Sequence, residues 1–221
     1  MITVHHLNDS RSQRVLWLLE ELGLPYEVKR YQRDAKTNLA PPELRAIHPL
    51  GKSPVLDEGN ARLAETGAII EYLLETHPGS GLRPAAGSAQ GRRFTYWLHY
   101  AEGSAMTPLL LKLIFTVLPK RVPFLGRGVA KGISKAMLTN MIDPQLNAHM
   151  ALWEAELGKS EWFAGDTFSA ADIMMSFPVE AAGSRVAYGA DKPKLKAFLQ
   201  KIHARPAYQR ALERGGPYSY A

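Results

Sequence analysis

The chain has 221 residues, of which 46% are hydrophobic, enough for one large domain or two small ones with a real core. It contains no cysteine, which excludes disulfides, thiolate metal sites and a redox nucleophile supplied by the protein itself. The 27 Lys and Arg against 21 Asp and Glu give a net charge of +6, which favours anionic small molecules as ligands. Neither the N-terminus nor the apolar run at residues 109–118, which Lys112 interrupts, predicts a secretion signal or a membrane span.

The first half of the chain alternates strand and helix patterns. Residues 2–6 and 26–31 are β-prone, and a helix between them ends at Gly23 and Pro25. That helix is predicted by an apolar stripe at i, i+3, i+4 and i+7, formed by Val15, Leu18, Leu19 and Leu22. Further along come a short helix at 42–47, a hairpin of residues 54–56 and 62–64, and a helix with Ile69, Ile70 and Leu73 on one face. The order β-α-β-α-β-β-α predicts an α/β thioredoxin-like domain at residues 1–80.

The second half of the chain carries only helical patterns. Turn-forming residues dominate 78–87, so we predict a linker at residues 81–90 and an all-α domain at residues 91–221. Three helices are marked by apolar stripes, which are Phe94, Trp97, Leu98 and Ala101; Leu146, Met150, Trp153 and Leu157; and Leu195, Phe198, Leu199 and Ile202.

One helix start in this half is unusually well specified. Ser169 can cap the helix, Asp172 follows three residues later, and Phe168 with Ile173 occupies the positions of a hydrophobic staple. A capping box stabilises a helix and performs no chemistry, so we assign these residues a structural role.

Beyond Lys112, five basic residues lie between the first and second of the three apolar stripes, namely Lys120, Arg121, Arg127, Lys131 and Lys135. They lack the sequence pattern of a nucleic-acid-binding module, and we predict no nucleic-acid partner. A solvated helix face is the favoured interpretation of this segment. An amphipathic patch in contact with a membrane surface is the less favoured alternative.

Two motifs in the first half can hold a small peptide. Ser53-Pro54 opens a short apolar strand, and a proline there belongs at a strand start or an edge, where free backbone groups can pair with an extended peptide. Glu65-Thr66 precedes a helix whose N–H groups and dipole suit a carboxylate, while Glu65 can hold an ammonium group. Taken one at a time, an ordinary hairpin strand and an ordinary capped helix are the favoured interpretations of the two motifs, and only their spacing points to a shared site.

The loop at residues 8–14 places Ser10 and Ser12 at the N-terminus of the first helix. A hydroxyl donor and a helix N-terminus both stabilise a thiolate, and lowering a thiol pKa from about 8.5 to near neutrality requires about 2 kcal/mol. The chain has no thiol, so the ligand must bring it. On the loop alone, simple capping by Ser10 or Ser12 is the favoured interpretation.

Taken together, these motifs resemble the soluble glutathione S-transferases of the serine type. The resemblance runs through His6-Leu-Asn-Asp-Ser-Arg-Ser-Gln-Arg-Val-Leu-Trp17, the segment from Ala40 to Pro54, and Glu65-Thr-Gly-Ala-Ile-Ile-Glu-Tyr72, and includes Phe168-Ser-Ala-Ala-Asp172 in the helical half. It is weaker between residues 118 and 159.

The resemblance implies roles for individual residues. The family's activating serine lies four residues ahead of an arginine, which corresponds to Ser10 with Arg14, and Ser12 is the competing candidate. The residue before the proline pairs through its backbone with the cysteinyl part of glutathione and corresponds to Ser53, where the family commonly has valine. The other implied contacts with glutathione are made by Lys52, Pro54, Glu65 and Thr66, and less firmly by Lys36 and His48.

The resemblance also implies the activity and its setting. We expect a cytoplasmic homodimer that uses glutathione as co-substrate, binds no metal, and attacks an apolar electrophile or a hydroperoxide in a detoxification role. The electrophile is expected against the helical domain near Met106, Leu109 and Leu110. A non-catalytic binding or scaffold protein of the same fold is the alternative, which an intact Ser10, Ser53-Pro54 and Glu65-Thr66 set disfavours.

Overall fold

The computed structural model describes residues 1–186 and 188–221. Its N-terminal half is a four-stranded sheet in the order β2-β1-β3-β4, in which β1 runs parallel to β2 and antiparallel to β3. The elements of this half are β1 (Ile2–Leu7), α1 (Ser12–Leu22), β2 (Tyr26–Tyr31), α2 (Pro42–Ile47), β3 (Val55–Glu58), β4 (Ala61–Ala64) and α3 (Thr66–Thr76). The predicted α/β thioredoxin-like domain is confirmed.

Helix α1 is buried on more sides than its apolar stripe predicts. Every residue from 12 to 19 is buried, including the polar Gln13 and Arg14. The reason is that α1 packs against α3 and β1 within its own domain and against two helices of the other domain. Gly23, with φ of 65°, ends α1 in the left-handed conformation that glycine favours.

The C-terminal half is helical, as predicted. Its helices are α4 (Ala89–Tyr100), α5 (Met106–Arg121), α6 (Arg127–Met137), α7 (Asp143–Lys159), α8 (Ala170–Val186), α9 (Pro193–His203) and α10 (Pro206–Gly215). Two π-helical segments, Ala101–Ala105 and Leu138–Ile142, join α4 to α5 and α6 to α7. Such widened turns are frequent at functional sites, and the periodicity of the sequence did not reveal them.

The continuous helix Ala89–Arg121 is long and apolar enough, on length and composition alone, to cross a bilayer. Core helices of soluble proteins meet the same test. In this structure the helix buries Phe94, Trp97, Leu98 and Leu109 in the main hydrophobic cluster, so these residues serve as protein core.

The predicted capping motif begins α8. The Asp172 carboxylate accepts hydrogen bonds from the Ser169 N–H at 2.9 Å and the Ser169 hydroxyl at 3.0 Å. It also accepts one at 2.8 Å from the N–H of Phe163, in the loop after α7. Burial raises the pKa of Asp172 to about 6, although these hydrogen bonds act in the opposite direction. The carboxylate therefore fixes a loop as well as a helix start.

The last helix packs on the N-terminal domain. Helix α10 lies along α1, and Arg30 of β2 donates to the carbonyl oxygens of Arg214 at 2.9 Å and Glu213 at 3.1 Å. At Gly215 a Cβ atom would lie 2.8 Å from Gln13 Oε1 and 3.0 Å from Leu16 Cδ1. Any larger residue at position 215 would require the side chains of Gln13 and Leu16 to shift, so the two domains share a packed boundary.

Candidate functional site

The loop between β1 and α1 brings Ser10 and Ser12 together. Their hydroxyl oxygens lie 2.7 Å apart, and Ser10 Oγ accepts from the N–H of Ser12 at 3.3 Å. Ser12 has no exposed surface, whereas Ser10 retains 6% of its own. Of the two candidates, Ser10 is therefore the one with surface left for a ligand, while Ser12 is enclosed by protein.

Behind the two serines lies His6, whose role the sequence did not reveal. His6 Nδ1 is 2.8 Å from Ser12 Oγ, so His6, Ser12 and Ser10 form one chain of hydrogen bonds. Burial, reinforced by Arg30, lowers the pKa of His6 to about 4. The imidazole is thus neutral at neutral pH. The chain donates outward through Ser10 when the His6 proton is on Nδ1, whereas the Nε2 tautomer, which hydrogen-bonds to the backbone of Gly215, reverses its direction.

The Ser53-Pro54 peptide bond is cis and leads directly into β3. The Ser53 hydroxyl donates to the carbonyl oxygen of His5 at 2.8 Å and accepts from the N–H of Leu7 at 3.1 Å. It thereby ties the residue ahead of Pro54 to the end of β1. Within the described part of the chain, the backbone N–H and C=O of residue 53 pair with no other backbone group.

The edge-strand alternative for this motif was wrong. Strand β3 is an interior strand, paired with β1 on one side and β4 on the other. The open backbone groups belong to residue 53 alone, just ahead of the strand. A peptide could therefore pair there over one residue and not along a sheet edge.

Glu65 precedes α3 in an unusual conformation, with φ of 69° and ψ of 120°. Residues other than glycine rarely adopt a positive φ, and the cost is on the order of 1–3 kcal/mol. The Glu65 side chain is exposed and makes no capping hydrogen bond, whereas Thr66 is buried. Its carbonyl oxygen accepts from the N–H of Ile69 at 3.0 Å, but within residues 1–186 and 188–221 its side chain makes no hydrogen bond, which makes this residue a candidate for ligand binding.

Arg14 connects the two domains from a fully buried position. Its guanidinium donates to Thr66 Oγ1 at 3.4 Å and to the carbonyl oxygen of Met174 at 2.9 Å, and it pairs with the carboxylate of Glu102. It also lies over the ring of Phe177, 5.4 Å from its centroid. The Glu65-Thr66 motif and the serine loop are therefore joined through one arginine.

Glu102 lies in the π-helical segment Ala101–Ala105 and was missed by the sequence analysis. Besides Arg14 it pairs with Arg11 at 2.9 Å, and Arg11 follows Ser10 directly. A contact between residues so distant in sequence leaves no local pattern. The widened turn thus carries the helical domain's carboxylate to the serine loop.

The remaining predicted residues lie in different surroundings. Lys36 and Lys52 are exposed, and His48 is partly buried with its Nδ1 unpartnered among the described residues. Of the three apolar residues predicted for the electrophile, Met106 and Leu109 are core residues. Leu110 is 50% exposed, so it alone of the three offers substantial area to a ligand.

The C-terminal tail, residues 216–221, lies against the same region and was not predicted to do so. The N–H of Ser219 donates to Asp9 Oδ1 at 2.7 Å, and the Tyr218 hydroxyl donates to buried Glu180 at 2.6 Å. The ring of Tyr220 packs edge-on against Phe177, with centroids 5.3 Å apart. The tail thus adds aromatic surface next to the arginines that flank Ser10.

Comparison with known proteins identifies both halves. Residues 1–75 match the family model for the N-terminal domain of glutathione S-transferases, and residues 133–206 match that for the C-terminal domain. Glutathione S-transferase 1 of Saccharomyces cerevisiae is 35% identical, over 97% of this chain and 95% of that protein. Glutathione S-transferase 3 of Schizosaccharomyces pombe is 31% identical, over 97% of this chain and 88% of its own.

Solved structures agree with these matches. A glutathione S-transferase from Actinobacillus pleuropneumoniae has a TM-score of 0.80 and 33% identity, covering all of this chain and 95% of its own. A glutathione transferase homologue from Sulfitobacter, solved with bound glutathione, has a TM-score of 0.77 at 22% identity, over 97% of this chain and 98% of its own. Because its sequence identity is only 22%, the second match shows that the fold is shared and no more.

Proposed function

Because the chain belongs to the glutathione S-transferase family, we propose that it is a glutathione transferase in which Ser10 stabilises the thiolate of bound glutathione. The observation that carries the proposal is the linkage of three motifs. Ser53 is hydrogen-bonded to the end of β1, the serine loop follows β1, and Arg14 joins α1 to Thr66. One continuous set of contacts therefore links Ser53, the serine loop and Thr66, which supports the proposal.

In this proposal each motif holds one part of glutathione. The free backbone groups of residue 53 pair with the cysteinyl unit, as in peptide binding by strand addition. Glu65 binds the γ-glutamyl ammonium group, and the N-terminus of α3 with Thr66 binds its carboxylate. Lys52 binds the glycine carboxylate, and Lys36 and His48 lie further out as secondary candidates.

Ser10 acts on the thiol by donating a hydrogen bond to its ionised form. A hydrogen bond to a charged group is worth about 1.5–3 kcal/mol, enough to lower a thiol pKa by one to two units. The N-terminus of α1 acts in the same direction. The thiolate then attacks an apolar electrophile or the O–O bond of a hydroperoxide beside the helical domain, where Leu110 and the tail aromatics offer apolar surface.

We further propose that the protein works as a cytoplasmic homodimer in detoxification. The second candidate function is a non-catalytic glutathione- or ligand-binding protein. Glu65 favours glutathione binding in either case, since its backbone is strained and its side chain makes no hydrogen bond within the described part of the chain. Only the 6% of its surface that buried Ser10 retains, together with the hydrogen bonds that join it to Ser12 and His6, favours catalysis specifically.

The test combines binding with turnover. We expect retention on immobilised glutathione, conjugation of a chloronitroaromatic compound, and slower reduction of an organic hydroperoxide. Retention without turnover of either substrate would select the non-catalytic alternative. Failure to bind glutathione at all would reject both. Sedimentation equilibrium at several protein concentrations tests the homodimer.

A further inference from the structure

The connection between α5 and α6 has a charge pattern found nowhere else in the chain. Between Glu102 and Asp143 there is no acidic residue, while six basic residues occur. Lys112 pairs with Asp143 at 2.7 Å. The other five are Lys120, Arg121, Arg127, Lys131 and Lys135, all exposed, and none forms a salt bridge within residues 1–186 and 188–221. This segment therefore carries about five uncompensated positive charges.

The same segment exposes large apolar side chains. Phe124 is 80% and Leu125 is 94% exposed, in the turn between the two helices. Val129 and Ile133 follow at intervals of four residues and are 69% and 52% exposed. Val129 and Ile133 thus lie along one face of α6, and Leu125 precedes them at the same spacing in the turn. We call this face, with Phe124, Leu125 and the five basic residues, the hairpin surface.

Helix α6 separates its three kinds of residue around its axis. Ala130 and Ser134 are buried against the protein. Arg127, Lys131 and Lys135 repeat every four residues on one side, and the apolar residues repeat on another. A helix with an exposed apolar face and a separate face of lysine and arginine has the pattern of helices that lie in the plane of a membrane interface.

We propose that the hairpin surface binds the surface of an anionic phospholipid bilayer. Phe124 and Leu125 enter the boundary between headgroups and acyl chains, while the basic side chains remain among the phosphates. Each basic residue near an anionic membrane strengthens binding by about fivefold. The binding is peripheral, because α5 buries Met106 and Leu109 in the protein core and α6 packs against α5.

Two other occupants fit the hairpin surface less well. A second copy of the chain would place two sets of positive charges together with no carboxylate between residues 103 and 142 to neutralise them. A nucleic acid would meet the basic residues, but it would leave the aliphatic side chains at the tip without an apolar partner. An anionic bilayer satisfies both the charge and the apolar surface.

The test is co-sedimentation of the full chain with vesicles of phosphatidylcholine, with and without phosphatidylserine. We expect binding only to the anionic vesicles, weakened by salt. The double variant Lys131→Gln/Lys135→Gln should bind about 25-fold more weakly. Phe124→Ser/Leu125→Ser should lose binding by at least about tenfold. The matched control Lys194→Gln/Lys196→Gln removes the same charge from exposed positions on α9 and should bind as wild type does.

A second measurement reports insertion directly. Because the chain has no cysteine, Leu125→Cys can be labelled at one site with an environment-sensitive fluorophore, and Gln200→Cys on α9 serves as the matched control. We expect a blue shift with anionic vesicles for the first label only. The proposal is overturned by binding to both vesicle types alike, by equal losses in the α9 control, or by no binding. It is also overturned if the Phe124→Ser/Leu125→Ser variant changes the oligomeric mass instead, or if duplex DNA retains the protein while vesicles do not.

Discussion

The hydroxyls of Ser10 and Ser12 are hydrogen-bonded to each other, but only that of Ser12 contacts the buried ring of His6. The two serines therefore have different roles. Ser12 links the loop to the interior, and Ser10 ends the chain of hydrogen bonds at the surface. This difference leads to separate expectations for the two alanine variants.

Replacing Ser10 with alanine should lower turnover by roughly 10–1,000-fold, corresponding to about 1.5–4 kcal/mol, with little change in glutathione affinity. The physical reason is the loss of a hydrogen bond made to the thiolate. Ultraviolet titration of the bound thiolate measures the accompanying rise in its pKa. Ser12→Ala is the comparison, and we expect it to cost more stability than Ser10→Ala because Ser12 is fully enclosed. An unchanged thiol titration in Ser10→Ala would mean that another group activates the thiol.

The buried imidazole of His6 should make stability depend on pH. Its pKa falls from 6.5 to about 4 on folding, so between these values the unfolded chain binds more protons than the folded one. Stability is therefore fully present above pH 6.5 and is lost as the pH falls towards 4, by up to about 3 kcal/mol. Urea unfolding at several pH values, compared with His6→Gln, isolates this contribution.

If the difference between wild type and His6→Gln does not vary with pH, the ring does not titrate as its burial requires. The same variant tests the link to Ser10, since glutamine can bond to Ser12 in either direction. The thiolate titration of His6→Gln should shift, and turnover should fall without a matching rise in the Michaelis constant. A change in stability alone would limit His6 to a structural role.

Glu65 should show opposite effects on stability and on binding. Glu65→Gly removes the strain of a positive φ and should stabilise the fold by about 1 kcal/mol. It also removes the partner of an ammonium group, so glutathione binding should weaken. Calorimetry and denaturant melts measure the two effects on one sample.

Asn38→Gly is a matched control for the backbone effect, since Asn38 also has a positive φ, at 60°. It should change stability without weakening glutathione binding to the same degree. Glu65→Ala retains the strain and should lose affinity only. Unchanged glutathione affinity in both Glu65 variants would remove Glu65 from the pocket.

The capping residues of α8 should affect stability unequally. Asp172→Ala removes three hydrogen bonds and leaves the buried N–H of Phe163 unpaired, which should cost about 2–4 kcal/mol. Ser169→Ala loses one hydrogen bond and should cost about 1 kcal/mol. Turnover per folded molecule should survive in both. A stable but inactive Asp172→Ala protein would show that this carboxylate takes part in catalysis.

Local patterns were enough to predict much of this fold. The stripe that begins at Val15, the turn at Gly59-Asn60 and the cap at Ser169 each depend on residues close in sequence, and each predicted its element. Glu102 and His6 could not be found in that way. Their roles depend on the packing of one domain on the other and on the folding of β1 against α1. The edge-strand alternative was wrong for the same reason, since the sequence of a strand does not specify which strands pair with it.

Ser53 is an instructive intermediate case. Its position before the proline was predicted to bind glutathione through the backbone. In the structure the Ser53 hydroxyl donates to the carbonyl oxygen of His5 and accepts from the N–H of Leu7. These two hydrogen bonds explain why a serine stands at position 53, and no local sequence pattern predicts them.

The position of the tail bears on how this protein is handled in the laboratory. The N–H of Ser219 donates to the carboxylate of Asp9, next to Ser10. A purification tag or fused reporter attached close to Ser219 would lie beside the serine loop and displace the aromatic side chains there. Activity is therefore best assayed with no group attached near Ser219.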